Sequence, residues 1–448
     1  MRGIIFLVLS FLSLAVIFSG CKKEDEEFLY IDPASIEFGY DDDDMTVTVS
    51  NVGSEEFTWT VTGNLNLMEF SKTSGTCAKN SPDVFQIILK RYNIHQDNIS
   101  ESITISASTG ESYKISLLIH GFPEDKVRIN ADVYDADYDY VHDKLALVCS
   151  DDGDAYIGIF DLLTATLSRL PIEFSYSGDI SFAPDGSYLA VSQDYDNMVT
   201  FIKHNENPPS SSFILSPFIS EIVADNGGLV YVFHNNYDNS DEMSILNFIT
   251  GQQSNYSLNG PLNLEDAHLH QTGNYIYGVD NYYLSKINIS NDAPSVVYSE
   301  YISDLNDKIW LSKDGSRIFT DEKRILTINP ELGGYDVTEQ ADLNIWSSYI
   351  QGIEQDIIHN EYYVIPSNNY SFNSDSDSQE ILVFNNSFEQ IKTILLEDYY
   401  FASNSQPYFY LVNPSAEYVF VSSDGNKIIV VSKASDYSSK WGIEVLDR

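Results

Sequence analysis

Two histidines, His268 and His270, stand two residues apart in the stretch HLHQTGNYIYGVD. On a strand that spacing puts both imidazoles on one side. The pair can then line a channel as hydrogen-bonded polar groups, or offer two nitrogens to a metal. The metal needs a third ligand from elsewhere, such as Asp194, His234 or His359. The polar-wall reading is the expected one, and no metal is expected. Three acidic stretches suggest other chemistry. DVYDADYDYVHD carries Asp132, Asp135, Asp137, Asp139 and Asp143, and reads as an acidic loop. NNYDNSDE (235–242) and NNYSFNSDSDSQE (368–380) both begin Asn-Asn-Tyr. Their Asn235, Tyr237, Asp238, Asn369, Tyr370, Asp375 and Asp377 are residue types that stack on sugar rings and hydrogen-bond hydroxyls. Calcium is the one ion that Asp375 and Asp377 suggest, but neither loop has EF-hand spacing. No cofactor is therefore expected, and solvated hairpins are the plainer reading. Asp41 to Asp44 are read the same way, because consecutive strand residues face opposite sides.

Catalytic signatures are missing. The chain has no Gly-x-Ser-x-Gly elbow, no HExxH stretch and no phosphate-gripping glycine loop. A glycosidase needs two carboxyls ~5–10 Å apart, and with 67 Asp and Glu such a pair cannot be picked by counting. The same residues outnumber 24 Lys and Arg and set a net charge of -43 over 448 residues. Nucleic acid and anionic lipid surfaces are excluded as partners on that ground. A hydrophobic content of 43% with 31 Tyr is enough for a sizeable core.

Residues 1–20, MRGIIFLVLSFLSLAVIFSG, have one positive charge and then an apolar run too short to span a bilayer comfortably. FSGC follows, and the segment resembles a bacterial lipoprotein signal peptide with Cys21 as the lipidated first residue of the mature chain; Phe18 departs from the usual leucine. Lys23-Glu24-Asp25-Glu26-Glu27 resembles the tag that carries Bacteroidetes lipoproteins to the outer face of the outer membrane. The resemblance implies a lipid-anchored protein with an acidic tether over 21–27. Cys77 and Cys149 fall in different domains, form no metal-ligand pattern and read as small buried side chains.

Short alternating segments fill residues 28–121: VTVSN, FTWTV, FQIILK, SITISAS and YKISLLI, separated by polar turns. They predict an immunoglobulin-like β-sandwich. Pro33 with Ile36 and Phe38, the VTVSN strand, Trp59 and the Ser74-Gly75-Thr76 turn resemble the BACON domain of Bacteroidetes surface proteins. That family is suspected of carbohydrate binding. Here a spacer role is expected, with Trp59 in the core rather than serving as a sugar platform.

From 125 to 448 the pattern repeats, most clearly in SFAPDGSYLAVSQ, WLSKDGSRIFTDEKRILTI and YLVNPSAEYVFVSSDGNKIIVV. Turns align at Asp143, Asp185, Asn226, Thr272, Asp314, Asn360 and Ser415, a period of about 45 residues. A four-stranded blade has two apolar faces and must stack on neighbours, so the reading is a seven-bladed β-propeller following the sandwich in an all-β chain. KVRINADVYD is expected to pair with the terminal WGIEVLD and seal the ring. The Pro-Asp-Gly turns are similar to those of YVTN-type and quinoprotein-dehydrogenase-like propellers. The expected function is noncatalytic binding of a glycan or a partner protein through the propeller face. The alternatives are a lactonase-like or quinone-dependent dehydrogenase-like enzyme, and a structural subunit of an outer-membrane nutrient-uptake complex.

Overall fold

The computed structural model describes residues 28–448 except 40–41, 43, 91–93, 95–97, 122–125, 152–153, 171–177, 194–196, 204–210, 216–217, 235–241, 259–261, 263, 292, 304, 368–377, 403–408 and 436–438. Contacts divide the chain into two compact units, residues up to 91 with 96–121, and 92–95 with 122–448.

The first unit is a sandwich. One sheet joins Leu29–Asp32, Asp44–Asn51, Asp83–Leu89 and Met68–Phe70, and the other joins Ser35–Phe38, Ser112–Ile119, Ile99–Ala107, Phe57–Thr62 and Ser74–Cys77. Period-two alternation drives it. Phe57, Trp59 and Val61 are buried while Thr58, Thr60 and Thr62 are exposed, so one strand face closes on the core. Trp59 is a core residue whose Nε1 donates to Asp83 at 3.1 Å. Asp42 accepts from the Gly39 amide and Asp44 from the Gln86 side chain. Cys77 and Cys149 are buried free thiols.

The second unit has seven four-stranded antiparallel sheets, the blades of a propeller. Their first strands are Asp132–Asp139, Ile180–Phe182, Ile219–Ala224, Asp266–Leu269, Ile309–Leu311, Tyr349–Asp356 and Pro414–Val421. Blade 7 is completed by Lys126–Ile129, which lies antiparallel to Trp441–Asp447 with Lys126 opposite Glu444. The first and last strands of the propeller thus share one sheet, as the KVRINADVYD and WGIEVLD segments predict. Two readings are corrected. Ser415 is no turn: it sits in the Pro414–Val421 strand, and the turn of blade 7 is at Asp424 and Gly425. The cause is an inserted hairpin, Tyr399–Ala402 paired with Phe409–Val412, which lengthens the chain before blade 7 and spoils the period. DVYDADYDYVHD is not a loop either, since Asp132–Asp139 is the first strand of blade 1.

Apolar clusters fill the spaces between blades. One of them joins Leu145, Phe160 and Tyr138 of blade 1 to Ile429, Val431 and Ile443 of blade 7 across the closing seam. Such dry contacts, at ~25 cal/mol per Å² of apolar surface, are what force sheets with two greasy faces into a ring.

Candidate functional site

The first strands surround the channel, and those of neighbouring blades do not pair with each other. Their free amides need partners, and carboxylates supply them. Ile180 N donates to Asp135 at 2.9 Å, Phe182 N to Asp137 at 2.6 Å, Ile222 N to Asp179 at 2.7 Å and Ile309 N to Asp266 at 2.7 Å. Glu221 receives the Ala267 amide and Glu354 the Val421 amide. Acidic side chains therefore stitch blades 1 to 5 in series and blade 6 to blade 7, one residue beyond the matching position. Bulges at Tyr134, Ser220, Gln351 and Glu417 each fall next to this level of the strand. Bulges re-aim the side chains beside them.

These residues line a cavity of about 700 Å³ that also includes Tyr140, His268, Trp310 and Lys313. It reaches Pro184, Asn226, Thr272 and Lys313, which lie just past the ends of first strands, so it extends toward the turns that join first to second strands. Asp135, Asp179 and Glu221 form a chain of hydrogen-bonded carboxyls. Burial, then the neighbouring charges of Glu221 and Asp135, push Asp179 well above the carboxylate range. Burial followed by Asp266 and Asp135 does the same to Glu221. Burial lifts Asp137 to about 7 in spite of the Phe182 and Tyr138 amides. Asp266 behaves oppositely. Burial pushes it up, but His268, Lys308 and the Ile309 amide together hold it below its ordinary value. Burial likewise works against the charge on His268, and Asp266, 3.3 Å away, outweighs it and raises the imidazole. Tyr140 donates to Glu354 at 3.0 Å, and the Lys313 ammonium pairs with Glu354 and lies 3.7 Å from the Tyr140 ring centre. The site therefore presents buried carboxyls held above the ordinary carboxylate range, a His268–Asp266 pair, and an aromatic wall of Tyr140 and Trp310. That set suits hydroxyl-rich ligands.

Both histidines of the predicted pair touch this cavity, in different ways. The strand ends at Leu269. His268 keeps its Nε2 at 2.9 Å from the Ile309 carbonyl, whereas His270 is buried with Nε2 at 2.9 Å from the Gly315 carbonyl and Nδ1 at 2.9 Å from Thr272. His270 is a spacer between blades. His142 and His359 repeat the arrangement, each held by an aspartate three residues earlier, at 2.7 Å and 2.6 Å. A β-carbon on Gly186 would come within 2.7 Å of His142 Nδ1, and one on Gly315 within 2.5 Å of His270 Nε2. His234 bonds Ser244 in the interior of blade 3. Among the described residues no group of three or more His, Cys, Asp or Glu is arranged to hold a metal. Cys21, Asp194, Asn235, Tyr237, Asp238, Asn369, Tyr370, Asp375 and Asp377 lie outside the described residues. The strands that flank the two Asn-Asn-Tyr segments are the second and third of blades 3 and 6. Asp179, Glu221 and Asp266 carry no signal in the sequence, and Asp135 and Asp137 read there as part of an acidic loop. The signal was the Asp135, Asp137, Asp139 alternation, which has strand period rather than loop irregularity.

No family model matches the chain, and no curated protein matches it. Solved structures do. The β-propeller domain of Myceliophteria thermophila Cps50 (Swd1) aligns with a TM-score of 0.52 at 10% identity, over 70% of this chain and 96% of that one. Kuenenia stuttgartiensis hydrazine synthase aligns at 0.51 and 11% identity, over 71% and 96%. A mitotic checkpoint complex chain aligns at 0.50 and 12% identity, over 72% and 91%. The fold is thereby set: the chain carries a β-propeller scaffold, and function must be read from its site.

Proposed function

We propose that this protein is a noncatalytic recognition protein, held on the outer face of the outer membrane by lipid on Cys21, which binds a glycan or a segment of a partner protein through the propeller. The sandwich acts as a spacer. The observation that carries this reading is the channel cavity, whose size, paired donors and acceptors and aromatic wall suit a hydroxyl-bearing group. Most of its carboxylates are engaged in joining blades, which favours a rigid receptor over a reacting centre. The full chain in detergent, screened on a glycan array and then titrated by calorimetry, tests it. Binding that weakens at least tenfold in Trp310→Ala supports the cavity, and undiminished binding in that variant removes it.

A second reading has its own support. The Asp266–His268 pair beside a raised Asp137 is an acid–base constellation. An enzyme would turn over the ligand found on the array. Intact ligand recovered after prolonged incubation counts against turnover.

A further inference from the structure

We propose that Tyr282, Tyr283 and Tyr301, at the outer edge of blade 4, form a platform for a neutral glycan chain. The inference rests on the reading of the protein as a recognition protein but not on the channel cavity. The three residues are 43%, 43% and 61% exposed, and the Tyr301 ring lies 6.0 Å from that of Tyr282 and 5.9 Å from that of Tyr283, centre to centre. One exposed tyrosine on a strand is an ordinary β-former. Tyr301 packed against two further exposed tyrosines makes a surface.

The backbone fixes them. Asp280 and Tyr283 pair across a two-residue turn whose Asn281 adopts a left-handed φ of 50°. Tyr283 faces Tyr301 across the last two strands of the blade. The Ile302 amide donates to the Tyr282 carbonyl at 2.9 Å, tying the turn to the end of the outer strand. The strand Tyr283–Asn288 is buried from Leu284 to Ile287, and Tyr283 is exposed because it stands at the strand's end, beside the turn. A platform ordered before contact loses little entropy when a ligand arrives.

Charge chooses the occupant. Asp280 and Glu300 flank the tyrosines, and neither GVDNYYLS (278–285) nor SVVYSEYISD (295–304) has a Lys or Arg. Those two carboxylates repel a polyanionic sugar or a nucleic acid. A greasy protein patch would have to desolvate three phenol hydroxyls. Pyranose rings instead offer C–H faces to stack on the aromatic rings and hydroxyls to meet the phenols. Because strands alternate in direction, the turn joining second to third strand lies at the opposite end of the blade from the turns toward which the cavity extends. The two sites are separate.

The test is native affinity electrophoresis of the detergent-solubilised full chain in gels containing dextran, laminarin, galactomannan or xyloglucan. At least one polysaccharide is expected to retard the chain. The double variant Tyr283→Ala with Tyr301→Ala is expected to lose that retardation at least tenfold, with an unchanged melting temperature. Tyr301→Trp is expected to keep it. Lack of retardation in all four gels overturns the proposal, as does equal retardation of the double variant. A concentration-dependent dimer that the double variant abolishes also overturns it, by assigning the platform to a second copy of the chain. Glycan binding lost only in Trp310→Ala leaves the channel reading standing and removes the platform.

Discussion

The carboxylates of the channel do two things with two oxygens. One oxygen of Asp137 accepts the Phe182 amide, which any carbonyl oxygen can do, and burial raises the group to about 7. In the unfolded chain the same carboxyl loses its proton near ~4. Between those two values the native state holds a proton that the unfolded state has released, so this group's contribution to stability falls as pH rises from about 4 to 7 and stays lost above. Asp137→Asn keeps one of the two acceptor oxygens that serve the Phe182 and Tyr138 amides and removes the titration. The variant is expected to gain on the parent in melting temperature from pH 5 to pH 8; a gap independent of pH would show that the carboxyl titrates normally. The glycines of the turns make a second residue-level case. Gly315 has a φ of 64° and the His270 ring against it. Gly315→Ala should cost about 1–3 kcal/mol in urea unfolding, while Gly333→Ala, with open space around it, should cost little. None of these contacts was legible in the sequence. The Asp-Gly pairs could be read as turns, but a histidine seated on the next blade's glycine is a relation between residues about 45 apart.

Blades were the legible elements. Asp-Gly turns followed by apolar strands marked blades 2 and 5 directly, and stacking of two-faced sheets required a closed ring. The Lys126–Ile129 strand and its partner at the other terminus were also foreseeable, since an odd strand at one end must complete the sheet at the other. The inserted hairpin was not, because four-residue strands carry little periodicity of their own. It attends the seam. Lys126 is wholly buried with Glu444 at 3.3 Å, and the ring centre of Tyr399 lies 4.5 Å from its ammonium. The Tyr399 hydroxyl donates to the Ser432 carbonyl at 2.7 Å. Removing one member of a buried pair strands the other, so Lys126→Met is expected to cost about 3–5 kcal/mol. Lys126→Met with Glu444→Leu should recover most of that. Equal losses in the single and double variants would mean that packing around the lysine stem, not the charge, holds the seam.

At the scale of the whole molecule, an acidic propeller with two differently built recognition surfaces is proposed to stand off a membrane on a lipid and a small sandwich. The proposed address depends on one thiol. Cys21→Ala is expected to release the chain from the membrane fraction, and unchanged retention would contradict the anchor. The acidic excess, whose net charge is -43, keeps polyanions away from both surfaces. The fold was readable from repetition and the candidate site was not. The channel acids look in sequence like any solvated acidic run, and only the ring turns them inward.

Sealing the circle with the propeller's first and last strands has a consequence for biogenesis. Lys126–Ile129 is made well before its partner Trp441–Asp447. In between, the nascent chain carries an orphan strand that must neither be cleaved nor recruited by another molecule's edge. A chain without Trp441–Asp447 would keep Lys126–Ile129 with bare hydrogen-bonding groups, a ready target for proteases.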